Sequence, residues 1–245
     1  MRQWHSSPLG MAVLEAERTL INQSLASLYG PNMLTLSVSP TQSRFEADHL
    51  QRKLLFGSPL QTQLGHELDG LCNFYELPVA NESQDIVVLH HLLEFSNNPH
   101  ALLREVERVV TPLGKVIVCG FNPYSPLMLR LLLQRSTGSS GWRQQLFSRA
   151  RLCDWLRLLN FDVNNVRYGF HRLPVSRPGW FLNHRLPSGE WLQHMPFGGT
   201  LVMTATKYRA PLTPAKIRWP SKRLATVHPL GTARIHTSNR QDFDE

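Results

Sequence analysis

The densest chemistry in this chain is a histidine pair, His90-His91, with Glu94 three residues on. Imidazole is the side chain whose ordinary pKa lies nearest neutrality, so such a pair can shuttle a proton or order a polar ligand. Two readings stand side by side. Either one ring contacts a bound cofactor while the other orders the acceptor or takes its proton, or both are core or cap histidines before the helix that begins near Leu92. Glu94 pairs with an arginine from elsewhere, or it is the acid that a helix dipole favours in a first turn. No second cluster of ligating residues has metal-binding spacing, so no metal site is expected. Cys72, Cys119 and Cys153 are too few and too scattered for a disulfide framework, and read as reduced thiols of a cytoplasmic protein. Asn122-Pro123-Tyr124-Ser125 is an Asn-, Pro- and Ser-rich turn that either faces a substrate or merely reverses the chain.

These groups sit at the ends of short apolar runs, and the runs set the fold. Strands are expected at 33–38, 52–56, 71–74, 85–89, 115–120, 161–168 and 200–208. Helices are expected at 8–28, 92–110, 127–134 and 148–159. Ser7-Pro8 supplies a helix cap and a first-turn proline. Thr111-Pro112-Leu113-Gly114 reads as a break between helix and strand. Fully apolar strands alternating with amphipathic helices indicate a parallel sheet covered on both faces, an α/β fold. In such sheets ligands gather at the carboxyl ends of the strands. That directs attention to Ser37–Pro40, Gly57–Pro59, Asn73–Leu77, His90–Phe95 and Gly120–Pro126.

Length and composition narrow the class. The 245 residues, 42% hydrophobic and 18% charged, suit a globular fold rather than a disordered chain. No run of eighteen apolar residues predicts a membrane span, and Glu15 and Glu17 interrupt the region where a secretory signal needs its apolar stretch. The net charge of +8 is concentrated in two places. Residues 130–185 hold ten arginines against Asp154 and Asp162, and residues 207–240 hold eight Lys or Arg and no acid. Basic stretches of this kind attract nucleic acid, anionic lipid or phosphorylated substrates. The prolines of 207–240 also suit a solubilising, disordered tail. Trp180, Phe181, Trp191 and Phe197 read as a lid or as a hydrophobic edge packed on the sheet.

The block Leu77-Pro78-Val79, Asp85-Ile86-Val87-Val88-Leu89, Leu93-Glu94-Phe95, Asn98-Pro99-His100, Leu103-Arg104-Glu105, Arg108-Val109 and Pro112-Leu113-Gly114 resembles the class I S-adenosylmethionine-dependent methyltransferases, in the type 11 methyltransferase-domain group. The turn Gly120-Phe121-Asn122-Pro123-Tyr124-Ser125 is similar to that of a mostly uncharacterised bacterial branch. The resemblance implies a three-layer α/β/α Rossmann-like fold. Its seven strands would run in the order 3-2-1-4-5-7-6, the last one antiparallel. With the helical periodicity and the charge distribution read above, this divides the chain into an N-terminal helix packed on the core over 1–30, a methyltransferase-like domain over 31–208 and a basic, disordered tail over 209–245. S-adenosyl-L-methionine is the implied cofactor. Its contacts would fall on Leu36, Ser37 and Val38 after strand one, Gly57 and Ser58 after strand two, Asn73 and Phe74 after strand three, and His90 after strand four. His91 is the implied catalytic residue, with Glu94, Asn122, Tyr124 and Arg130 on the substrate side.

Three positions depart from the family pattern. The loop after strand one, Ser37-Val38-Ser39-Pro40, has no glycine where the family keeps several. Gly57-Ser58-Pro59 replaces an acid that grips the ribose hydroxyls, and Asn73 replaces an Asp that accepts from the adenine amino group. The functions to weigh are therefore three. The first is methyl transfer to an unidentified, anionic acceptor. The second is an inactive methyltransferase fold that binds nucleic acid or another polyanion through 130–185 and 207–240. The third is an enzyme lying on a membrane surface through Leu127–Leu133 with the flanking Arg130 and Arg135.

Overall fold

Ser7 starts the first helix, α1 (Pro8–Leu25), by accepting from the backbone N–H of Gly10 at 3.0 Å, while Pro8 spends no donor at the first helical position. The computed structural model describes residues 7–39, 43–47, 49–58, 68–136, 145–171 and 190–208. The chain divides into two units, Met1–Ala210 and Pro211–Glu245, and every described residue belongs to the first. The basic stretch beyond Tyr208, Pro40, Pro59, Trp180, Phe181 and the side chains of Leu133 and Arg135 lie outside the described residues.

Seven strands follow among the described residues: β1 (Asn32–Ser37), β2 (Arg52–Gly57), β3 (Gly70–Leu71), β4 (Gln84–His90), β5 (Val110–Phe121), β6 (Phe161–Gly169) and β7 (Thr200–Lys207). They form one sheet in the order 3-2-1-4-5-7-6. Strands β3, β2, β1, β4 and β5 pair in parallel, and β7 runs antiparallel to both β5 and β6. This is the Rossmann-like methyltransferase arrangement that the resemblance implied. The remaining helices are α2 (Pro99–Val109), α3 (Pro126–Ser136) and α4 (Arg149–Leu158).

Strand side chains alternate between faces, and here both faces are apolar. Leu34, Leu36, Val87, Leu89, Val116 and Val118 join Leu103 and Val106 of α2 and Leu152 and Leu156 of α4 on one side. Met33, Ile86, Val88, Ile117 and Cys119 meet Leu20, Ile21 and Leu25 of α1 on the other. The first is called the α2 face below, the second the α1 face.

The boundaries shift where local chemistry overrides the apolar pattern. The helix expected over 92–110 is broken: a single 3-10 turn covers Leu93–Phe95, and α2 restarts at Pro99. The residue before a proline disfavours helical backbone, and Asn98 instead caps α2 by accepting from Ala101 N–H at 3.1 Å. The break expected at 111–114 lies inside β5, which begins at Val110 opposite Gln84. Leu113 takes a positive φ of 66° there, which lets the strand bend without ending. The third strand is only two residues long.

Candidate active site

A cleft with a cavity volume of about 450 Å³ opens at the carboxyl ends of β1 to β4. Val38 follows β1, Ser58 follows β2, and Cys72, Asn73, Phe74 and Tyr75 follow β3. Leu92, Phe95, Ser96 and Asn97 follow β4, and Leu102 closes the wall from α2. The volume falls in the range of small-molecule sites, and the mix is the usual one of apolar walls with a few polar groups. Asn73 is held in a turn by accepting from Tyr75 N–H at 3.1 Å. The Tyr75 hydroxyl lies 3.0 Å from the Ser96 hydroxyl and accepts from the backbone N–H groups of Asn97 and Asn98 at 3.0 and 3.2 Å. One phenol thus ties the β3 end to the entry of α2. Burial alone would raise its pKa, but these hydrogen bonds outweigh burial and hold the phenol below its ordinary value. Burial pushes the Cys72 thiol up to about 11, so it stays protonated and is no nucleophile near neutral pH.

The histidines are not in this cleft. Ser37, His90 and Cys119 are register partners across β1, β4 and β5, so all three side chains form one row on the α1 face. Strand alternation would send His91 to the opposite face. Its backbone instead turns into the left-handed region, φ 51°, and both rings end on the same side with centroids 4.8 Å apart. Glu17 descends on them from α1. It occupies the middle of the buried stripe Val13, Glu17, Leu20, Ile21 and Ser24, and is itself completely buried. One Glu17 carboxylate oxygen lies 3.0 Å from His91 Nε2 and the other 3.3 Å from His90 Nε2. His91 Nδ1 lies 2.8 Å from Glu94 Oε2, and Glu94 Oε1 accepts from the backbone N–H of Phe121. A Cβ on Gly120 would stand 2.9 Å from Glu94 Oε1, so a glycine there leaves the carboxylate its room. His90 Nδ1 lies 2.7 Å from the hydroxyl of Ser43, which also contacts Ser37 Oγ at 2.7 Å and the Ser39 carbonyl at 3.0 Å.

Electrostatics follow the geometry. Burial opposes the charged form of both Glu17 and His91, but their attraction outweighs it. Glu17 is held down to about 2, and His91, flanked by Glu17 and Glu94, is raised to about 10. Burial keeps His90 below its usual value despite Glu17. Burial, with the Glu17 and Glu94 carboxylates nearby, pushes the Cys119 thiol well above its ordinary range.

The residues expected to act together therefore separate. Val38, Ser58, Asn73 and Phe74 line the cleft. Leu36 is fully buried in the α2-face core and leaves the cleft open; Gly57 ends β2 behind Ser58. Ser37, His90, His91 and Glu94 belong to the buried polar network and do not line the cleft, because strand alternation and the His91 kink turn them toward α1. Glu94 pairs with His91 rather than with an arginine, although its backbone carbonyl accepts from Gln145 N–H at 3.0 Å. Asn122 is buried and donates to the carbonyls of Pro196 and Gly198 at 2.8 and 2.9 Å, which ties the β5 end to the approach to β7. Tyr124 is exposed and Arg130 is half-buried on α3. Glu17, Ser43 and Cys119 were missed as polar partners of the histidines. A carboxylate at position 17 interrupting an apolar helical stripe was the available signal.

A family model described as a methyltransferase domain matches residues 22–118. An uncharacterised protein of Escherichia coli K12, YafS, is 32% identical over 214 residues, spanning 86% of this chain and 82% of its own length. The chain belongs to the class I S-adenosylmethionine-dependent methyltransferases. Solved structures share the fold of this methyltransferase. An S-adenosylmethionine-dependent methyltransferase from Thermotoga maritima is 18% identical with a TM-score of 0.64, over 84% of this chain and 94% of that one. Magnesium protoporphyrin IX methyltransferase from Synechocystis, solved with bound S-adenosylhomocysteine, is 12% identical with a TM-score of 0.51, over 84% and 91%. The family cofactor is S-adenosyl-L-methionine, and the cleft of this methyltransferase fits it. The volume lies at the expected strand ends, it remains open although Val38 stands where the family keeps glycine, and Ser58, Asn73, Ser96 and Asn97 offer polar groups along its wall. No helix among the described residues is long and apolar enough to cross a membrane.

Proposed function

We propose that this chain is an active methyltransferase that binds S-adenosyl-L-methionine in the cleft and methylates an anionic acceptor. The observation that carries the reading is the open cleft at the ends of β1 to β4, kept despite the loss of the glycine-rich loop. S-adenosylmethionine supplies an electrophilic methyl group on a sulfonium, open to in-line attack. Asn73, whose side chain is fixed by Tyr75 N–H, would bind the adenine edge. Ser58 would hydrogen-bond the ribose hydroxyls in place of the usual acid, and Phe74 would pack on the base. Val38 would crowd the amino-acid end, which predicts weaker binding than a glycine loop gives.

The protein's work is then positioning and water exclusion, which can supply most of the rate for such a displacement. Both nitrogens of His91 face carboxylates inside the protein, so the acceptor is best one that needs no base there: a carboxylate, phosphate-bearing or already nucleophilic group. Arg149, Arg151 and Arg157 of α4 are exposed and would attract such an anion. Isothermal calorimetry with S-adenosylmethionine tests the cofactor step, with a Kd tighter than about 1 mM expected. Transfer of labelled methyl from the cofactor to pooled anionic metabolites tests turnover. Folded protein that shows no heat up to millimolar cofactor would overturn the reading.

A further inference from the structure

The buried network on the α1 face brings together, from α1, the end of β4 and β5, four side chains that each carry a metal-ligating atom. Ser43 is in hydrogen-bond range of the Ser37 hydroxyl at 2.7 Å, the Ser39 carbonyl at 3.0 Å and His90 Nδ1 at 2.7 Å. When its hydroxyl hydrogen goes to the Ser39 carbonyl, Ser43 accepts from His90 Nδ1, which leaves His90 Nε2 to act as a ligand atom. A Glu94 carboxylate that already accepts from Phe121 N–H likewise receives a proton from His91 Nδ1. Both Nε2 atoms point at the two oxygens of Glu17, at 3.3 and 3.0 Å, and a metal ion among them would take the place of the ring proton that His91 shares with Glu17. A buried carboxylate needs a positive centre beside it, which the protonated His91 supplies and a bound metal ion would supply equally. Cys119 Sγ closes the group from β5, and the donor atoms of Glu17, His90, His91 and Cys119 all lie within 4.8 Å of one another.

We propose that Glu17, His90, His91 and Cys119 form a closed, structural zinc site that clamps α1 to the ends of β4 and β5. Zinc takes four N, O and S ligands at about 2.0–2.3 Å, which at tetrahedral angles puts the donors roughly 3.3–3.8 Å apart. Only small rotamer adjustments separate that from the present spacing. Two imidazoles, one carboxylate and one thiolate are donors that zinc accepts, and the two anionic ligands neutralise its charge. Each histidine is already oriented through its other nitrogen, His91 by a carboxylate and His90 by a hydroxyl, as zinc-bound histidines generally are. All four ligands are protein groups buried to 2% exposure or less, so no coordination position is left for a substrate. The ligands are scattered over residues 17–119, which is why linear spacing gave no sign of a site.

The site is tested on the full chain. Metal content is measured on protein purified from zinc-supplemented cells, and about one zinc per chain is expected. Because the site is closed, exchange is made by unfolding in urea and refolding with Zn²⁺, Co²⁺ or a chelator. The cobalt form should show the visible bands of a tetrahedral ion and a thiolate charge-transfer band. Cys119→Ser should abolish the charge-transfer band and weaken binding at least about tenfold, and Ser43→Ala should keep the band but weaken binding about 10- to 100-fold. Circular dichroism confirms that each variant is folded. Folded wild-type protein with less than about a tenth of an equivalent of metal, both as purified and after refolding with zinc, would overturn the proposal. So would one bound cobalt whose spectrum is identical in wild type and Cys119→Ser, since other histidines of the chain would then hold it. None of these readouts depends on methyl transfer.

Discussion

Single side chains here hold energies large enough to be read one at a time. Glu17 is an ionised carboxylate in the middle of an apolar helix stripe, and among the described residues the pair of imidazoles offsets its leaving water. Removing one partner of a buried charged contact leaves the other uncompensated, which costs about 3–5 kcal/mol. Glu17→Gln is therefore expected to lower the unfolding free energy by about 3 kcal/mol, read as a fall in the urea midpoint with an unchanged slope. An unshifted midpoint would mean that the carboxylate does not meet the rings. Tyr75 offers a milder case. Its hydroxyl joins Ser96 and two backbone N–H groups, so Tyr75→Phe strands those donors at a partly wet site. A loss of about 1–2 kcal/mol in thermal or urea unfolding is expected, with weaker cofactor binding because the cleft wall loosens.

Elements are joined by contacts that sequence patterns show unequally. Arg108 of α2 meets Glu105 one turn earlier, the carbonyls of Leu77 and Val79, and Asn81 Oδ1, while Glu105 accepts from Leu77 N–H at 3.2 Å. This pair fastens the segment before β4 to α2. Hydrogen bonding to Arg108 holds the Glu105 carboxyl below its ordinary value of 4.5. Its contribution is thus present above pH 4.5, the unfolded value, and disappears as pH falls through the lower folded value. Wild type should exceed Glu105→Gln in stability by up to about 1 kcal/mol at pH 6, and the gap should close toward pH 3; urea midpoints across that range measure it. A gap constant with pH would show that the pairing is not ionic. The strands and both apolar faces were legible because buried parallel strands are written as continuous apolar runs, as in Ile86–Leu89 and Val116–Val118, while the strand order came only with the family resemblance. The block from Leu77 to Gly114 carried the resemblance to the family. The histidine network was not legible, because it needs the register of Ser37, His90 and Cys119, the left-handed turn at His91 and a helix 70 residues away. Beyond the carboxylate at position 17 in an apolar helical stripe, none of these leaves a local signal, and strand alternation taken alone predicts the wrong face for His91.

At the scale of the molecule, the sheet carries two separate centres. The cleft lies at the ends of β1 to β4 with walls from the α2 face, and the polar network lies under α1. A ligand that binds only the folded state stabilises it by mass action, by about 2.7 kcal/mol at a hundredfold excess over Kd. For a chain of this size each kcal/mol moves Tm by roughly 2–4 °C. S-adenosylmethionine near saturation should then raise Tm by about 5–10 °C, and by less if Val38 weakens binding as argued. Val38→Trp places an indole in the mouth of the cleft and should abolish that shift, while the Tm without ligand stays within a few degrees of wild type, since Val38 is only half-buried at the cleft edge. Val38→Gly restores the backbone approach that the family favours and should tighten binding, seen as a larger shift at the same ligand concentration. A thermal shift in Val38→Trp equal to that of wild type would place the cofactor somewhere other than this cleft, and the assignment of Asn73, Ser58 and Phe74 would fall with it.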